Sequence, residues 1–100
     1  MISREAYRFV ELSCQHYYEI EILLQNGEEI SGFANKVELI DIKGEPREFL
    51  VLRQPGISID IALDEVYAIT AITENPHFNY VKIAGRNAAV PYKAKNCAKK

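Results

Sequence analysis

Cys14 and His16 stand two residues apart in the run Glu11-Leu12-Ser13-Cys14-Gln15-His16, and Glu19 and Glu21 follow closely. A thiol, an imidazole and carboxylates so close together raise three chemistries. Metal ligation comes first, but a zinc site wants more ligands at tetrahedral spacing, and the other histidine, His77, is distant in the chain. A Cys–His nucleophile requires a third orienting group and a pocket, and nothing in the sequence signals either. Paired carboxylates suit acid–base catalysis only beside pocket-forming loops or substrate-binding motifs, which are lacking. The expectation is therefore no enzyme, no metal and no cofactor. Cys14 reads as a small core residue near a helix end, and His16 as a cap for that end or a donor to a backbone carbonyl. Glu11, Glu19 and Glu21 read as contacts to a partner, the bland alternative being a solvated acidic face.

The elements that must hold these residues follow from the pattern. Ser3 is an N-cap and opens a short helix. At 100° per residue, Ile2, Ala6, Phe9 and Ser13 share a stripe with Val10 beside it, while Arg4, Tyr7, Arg8 and Glu11 fall on the other side. Phe9 and Val10 should pack inward; Tyr7 and Glu11 should face water. Such a helix is too short to stand alone and must lean on the rest of the fold. From Tyr17 to Leu24 the chain alternates, with Tyr18, Ile20, Ile22 and Leu24 on one face and Glu19, Glu21 and Leu23 on the other, a half-buried strand. Asn26-Gly27 predicts a type I′ hairpin turn. The return strand runs to Leu39 or Ile40, and Gly32 within it suits a bend or bulge. Asp41–Pro46 is expected to be a loop, Glu48–Arg53 a third strand, and Pro55-Gly56 a turn. Ile57, Ile59, Ile61 and Leu63 should point inward from a fourth strand, and Val66–Ile72 forms a fifth. A helix followed by five short antiparallel strands is a mainly β fold, and the bend favours a small closed barrel.

One hundred residues make one domain of modest stability. The predicted division is a barrel domain with its helix over 1–75 and a basic extension over 76–100, with one extra strand in Phe78–Ile83 and a flexible end. No apolar run approaches the ~20 residues of a membrane span, and the N-terminus lacks the layout of a signal peptide. The expected location is the cytoplasm, where Cys14 and Cys97 stay reduced. The net charge of −2 conceals an asymmetry. Residues 1–75 hold all 14 acidic residues and half of the 12 basic ones, a net of −8; residues 76–100 hold the other bases and no acid, a net of +6. An acidic body repels nucleic-acid phosphate and attracts basic protein surfaces.

The strand layout, with its very short Leu63-Asp64-Glu65 connection, resembles the Sm-like fold. Within that group, the run from Glu11 to His16, with the turn Gly27 eleven residues later, is similar to the Rho-binding antiterminator (Rof) family. That family shows the same Glu-Leu-small-Cys-Gln-His run, an aromatic-Leu-Val third strand like Phe49-Leu50-Val51, and a Leu-Asp-x-Ile junction like Leu63-Asp64-Glu65-Val66. The likeness covers Tyr7 to Thr73. It implies a monomer that binds transcription termination factor Rho at its N-terminal RNA-binding domain and blocks RNA there, reducing termination, with no enzymatic step. It also implies a partner surface made of the exposed helix face, where Tyr7 and Glu11 lie, and a basic loop before strand three, where Lys43 and Arg47 lie. The sequence departs from the family in having Arg8, also a candidate for partner contact on that helix, where an acid is expected, a longer loop around Asp41–Pro46, and a longer basic tail.

Sm-like barrels often bind RNA, so an RNA-binding or adaptor role acting through the basic tail is the alternative. The barrel itself lacks the residues for it. The places where Sm-like RNA binders carry an Asp-aromatic-Met-Asn motif and an Arg-Gly-Asn turn read Ile40-Asp41-Ile42-Lys43-Gly44-Glu45-Pro46 and Leu63-Asp64-Glu65-Val66 here. Asp64 and Glu65 would repel phosphate. Tyr80, Tyr92 and the lysines leave weak nucleic-acid binding open for the tail.

Overall fold

The computed structural model describes residues 2–84 and the backbone of 91–92. The first element is α1, Arg4–Gln15. The Ser3 hydroxyl accepts a hydrogen bond from the Ala6 amide at 3.1 Å, which satisfies one of the donors a helix start leaves open. Ala6, Val10 and Ser13 form the buried stripe, and Ser13 escapes the cost of a buried hydroxyl by donating to the Phe9 carbonyl at 2.8 Å.

The helix stops in a Schellman turn. Tyr18 N donates to Ser13 O at 2.9 Å and Tyr17 N to Cys14 O at 3.2 Å, while the His16 amide makes the last helical bond, to Leu12 O at 3.1 Å, and its imidazole, expected to cap the end, instead stacks on Tyr18 and His77. The turn needs a left-handed residue at position 17, usually glycine. Here it is Tyr17, at φ 56, a conformation that costs an L-residue roughly 1–2 kcal/mol.

Seven antiparallel strands follow: β1 Glu19–Leu24, β2 Glu29–Ile42, β3 Glu45–Gln54, β4 Ile57–Ala62, β5 Val66–Ala71, β6 Tyr80–Lys82 and β7 Pro91–Tyr92. Their order across the single sheet is β4-β3-β2-β1-β5-β6-β7. The mainly β class with an N-terminal helix holds. The barrel does not close: β4 is one edge, and the edge of β5 to which it would pair is taken by β6, through Ala68↔Lys82, Ile69↔Val81 and Thr70↔Tyr80. A one-turn 3-10 segment, Leu63–Glu65, joins β4 to β5.

Alternation along β1 appears as expected, with Tyr18, Ile20, Ile22 and Leu24 buried. They meet Val10 and Ala6 from the helix, Leu50 and Leu52 from β3, and Ile69 from β5 in one core. Core packing continues past residue 75. Asn75 folds the chain in an Asx turn, its Oδ1 accepting from the amides of His77 (2.8 Å) and Phe78 (3.1 Å). That delivers Phe78, 1% exposed, edge-on to Phe9 at 5.4 Å between ring centres. Val81 and Ile83 are buried beyond it. The expected extra strand is β6. The mobility expected of the chain end falls largely on residues 85–90 and 93–100, outside the described residues.

Two turns differ from expectation. At Asn26-Gly27 only Gly27 has positive φ (95°), and Gly27 N bonds Leu24 O while Leu24 N bonds Glu28 O. This is a three-residue loop with a glycine bulge, not type I′. The two-residue inverse turn lies instead at Lys43-Gly44, with φ 53 and 85, between the paired Ile42 and Glu45. The expected loop over Asp41–Pro46 is therefore a hairpin tip. Pro46 fits there because it pairs Asp41 at the non-hydrogen-bonded site next to the turn pair, where its missing N–H points away from β2.

The bend of β2 is a bulge at Asn35, between the pairs Ala34↔Leu52 and Lys36↔Val51, rather than at Gly32. Gly32 instead permits close approach to β3: a Cβ there would meet the Arg53 carbonyl oxygen at 3.0 Å. Along β4, Ile61 is buried, Ile59 is half-buried, and Ile57, expected inward, is 56% exposed because this end of the edge strand runs past the core.

Candidate protein-interaction surface

The bulge at Asn35 carries β2 across one flank of α1. Tyr7, Glu11, Cys14 and Gln15 from the helix and Asn35, Lys36 and Val37 from β2 line an open concavity of about 460 Å³. Tyr7 was expected to face water, yet it is half-buried. Its hydroxyl is pushed above the ordinary tyrosine range by burial first, then by Glu48 and Glu11, and last by Cys14. It stays neutral, with the charges of Glu48 and Glu11 acting on it. Lys36 is exposed and pairs with Glu38 at 3.0 Å. The concavity thus joins an aromatic hydroxyl and the Glu11 carboxylate, groups suited to a cationic side chain, with the Lys36 ammonium on its β2 side drawn to Glu38.

Burial, and then the Glu11 carboxylate, push the Cys14 thiol up to about 11. A thiol protonated so far above neutrality is a poor nucleophile. His16 is exposed and stacks between Tyr18, at 5.4 Å, and His77, at 5.9 Å. The fold therefore brings together the two histidines that the sequence holds apart. No cluster of three or more potential metal ligands occurs among the described residues.

The remaining candidates fall in three other places. Arg8 lies on the opposite flank of α1, where Glu5, Arg8, Phe9, Leu12 and His77 surround a second concavity of about 500 Å³. Lys43 is exposed at the β2–β3 hairpin apex. Farther down that arm, Arg47 reaches Asp64 at 3.9 Å and lies over the Phe49 ring at 5.8 Å, so its guanidinium is held by the body. Glu19 and Glu21 alternate with the buried side chains of β1 and face away from α1. Tyr7 and Glu11 are thus together, Lys43 and Arg47 share one arm, and Glu19 and Glu21 occupy the outer sheet face.

Sequence reasoning missed Lys36 and Glu48 as neighbours of Tyr7. Asn35, an irregular polar residue beside buried Ala34, was the one available signal of the bulge. It also missed the exposed stack of Tyr17 on Phe33, with ring centres 5.5 Å apart.

Comparison with known families and structures adds to this geometry. Residues 1–83 match the family model described as modulator of Rho-dependent transcription termination (ROF). Among solved structures, one titled YaeO bound to magnesium, from Vibrio cholerae O395, is similar in fold, with a TM-score of 0.69 and 22% sequence identity over 76% of this chain and 95% of that one. No curated protein sequence gives a significant match.

Proposed function

Since the match over residues 1–83 places the chain in the family of modulators of Rho-dependent transcription termination, we propose that it acts by binding Rho on the RNA-binding N-terminal domain and keeping RNA out. This is a regulatory protein–protein interaction in the cytoplasm, made by a monomer without an enzymatic step. Among the described residues no helix is long and apolar enough to cross a membrane.

The family match carries the reading. The Tyr7–Glu11 concavity, with Glu48 behind it, supports the place of contact, because a surface that binds RNA phosphate is basic and complements acids. Lys43, at the apex of the neighbouring arm, and Arg47 lower down supply the second contact. Glu19 and Glu21 would extend the acidic surface on the far side of β1. Arg8 opposes a basic partner less than its helix position suggests, because its flank is the one lined by Glu5 and His77.

Purified protein should bind the N-terminal domain of Rho in a titration at low salt, and excess oligocytidine should displace it. No binding under those conditions refutes the proposal. Glu11→Lys should weaken binding at least tenfold, which is about 1.4 kcal/mol, while the melting temperature stays nearly unchanged because Glu11 is exposed. Unaltered affinity would remove Glu11 from the contact.

A further inference from the structure

β4 leaves one edge of the sheet without a partner among the described residues. The two-residue turn at Pro55-Gly56 decides which of its backbone groups are free. Gln54 and Ile57 flank that turn as a hydrogen-bonded pair, and the pairs alternate from there. Ile59 and Ile61 therefore bond Leu52 and Leu50, while Ser58 and Asp60 turn their N–H and C=O groups outward. Proteins commonly blunt such an edge with lysine, proline or a bulge. β4 carries none of these, and its register with β3 runs unbroken from Ile57 to Ala62. Its side chains are open too. Ile57 is exposed and Ile59 half-buried on the core face, and Ser58 and Asp60 are exposed on the other.

The fold closes off one way of covering this edge. A head-to-tail ring would pair β4 with β5 of the next copy, but β6 occupies that edge of β5. A second β4 fits instead. When two β4 strands lie antiparallel about a twofold axis at Ile59, Ser58 faces Asp60 of the second copy and Ile57 faces Ile61. Each Ser58–Asp60 pair exchanges two backbone hydrogen bonds, and Ile57, the isoleucine the body leaves open, gains an apolar neighbour. The charges agree as well. Arg53 stands beside Ser58 on the same face, so its side chain, extended over the small serine, meets Asp60 of the second copy, and symmetry repeats the contact. Arg53 and Asp60 are exposed and make no ion pair among the described residues. Other registers are poorer. An axis at Asp60 sets two carboxylates opposite each other, an axis at Ser58 uses only the turn end of the strand, and an axis at Ile61 runs into the 3-10 segment Leu63–Glu65.

We propose that β4 is an interaction surface for a second copy of this chain, formed by antiparallel β4–β4 pairing about Ile59 and fixed by reciprocal Arg53–Asp60 ion pairs. One strand a side is less than a standard interface, so the pair exchanges with single chains and fills as concentration rises. The single chain remains the species that meets Rho. The surface goes beyond that reading and is tested without Rho.

Sedimentation velocity of the full chain over rising concentration should show single chains giving way to pairs and nothing larger. Asp60→Lys and Arg53→Glu should each weaken association by roughly tenfold or more, because each sets like charges together, and the double variant should restore it. Both side chains are exposed, so the melting temperature should change little. Register is read by cross-linking in a chain whose Cys14 and Cys97 are replaced by serine. Under mild oxidation Ile59→Cys should give a covalent pair, since Ile59 meets its own copy at a non-hydrogen-bonded site where the backbones lie within disulfide reach. Ser58→Cys, though more exposed, should not, since its counterpart lies two residues out of register. A single species at every concentration, assemblies larger than two, a double variant as weak as the single ones, or equal cross-linking at 58 and 59 would each overturn the proposal.

Discussion

Phe78→Ala tests whether the segment after Asn75 holds the helix in place. Phe78 is 1% exposed and its ring meets Phe9 edge-on at 5.4 Å. Truncating a fully buried phenylalanine removes its transfer energy and leaves a cavity, a loss of about 3–5 kcal/mol. The edge-to-face contact accounts for about 0.5–1.5 kcal/mol of that. A domain of this size has roughly 5–15 kcal/mol in all, so the variant should fold marginally. In urea, with a slope of about 1.5 kcal/mol/M, the midpoint should fall by about 2–3 M. A cycle with Phe9→Ala should give a coupling of about 0.5–1.5 kcal/mol, because both rings lose the same contact. The effect reaches the interaction surface through α1, since Phe9 is two residues from both Tyr7 and Glu11. A loss below about 1 kcal/mol, or no coupling to Phe9, would show that the helix is held without this anchor and would refute the packing argument.

Two further perturbations read other parts of the structure. Gly32→Ala places a Cβ 3.0 Å from the Arg53 carbonyl oxygen and 3.3 Å from Leu52 Cβ, both in a well-packed strand; it should destabilise by about 1–3 kcal/mol in the same urea assay, and a neutral result would mean β2 and β3 can part freely. In a Cys97→Ser chain, alkylation of Cys14 should be slow at pH 8 and rise as the pH approaches the raised value of about 11. The thiol is neutral in the folded state at pH values where the unfolded chain already ionises, so this contribution to stability is complete below the unfolded thiol value near 8.5 and is lost as pH climbs from there to about 11. Rapid alkylation at pH 8 would contradict the burial assigned to Cys14.

Local chemistry was legible in the sequence wherever it decided the structure alone. Ser3 capped the helix, and the alternation from Tyr18 to Leu24 set the buried face of β1. Pro55-Gly56 made the β3–β4 turn, with Gly56 at φ 82. The Glu11–His16 run also located the family. What was not legible depended on neighbours distant in sequence. Nothing local shows that β6 occupies the edge of β5, which is why a closed barrel was expected. Asp41–Pro46 looked like a loop because of its Gly44 and Pro46, and only the pairing of Ile42 with Glu45 shows the turn to be tight. Tyr7 looked solvent-facing from helix periodicity because the bulge that brings β2 over it is a single unpaired residue, Asn35. The stacking of His16 on His77 likewise requires the Asx turn at Asn75, which presents His77 to the end of the helix.

The two-residue turn at Lys43-Gly44 also makes the β2–β3 arm a module of adjustable length. Inserting one residue on each strand lengthens the arm by about 3.4 Å and keeps the body's register, but it exchanges the two faces of everything beyond the insertion and leaves a non-hydrogen-bonded pair to close the turn. Inserting two on each strand restores the faces. The reach of the arm can therefore change in even steps while Leu50 and Leu52 remain in the core. An arm of this kind can change its reach without altering how the domain folds.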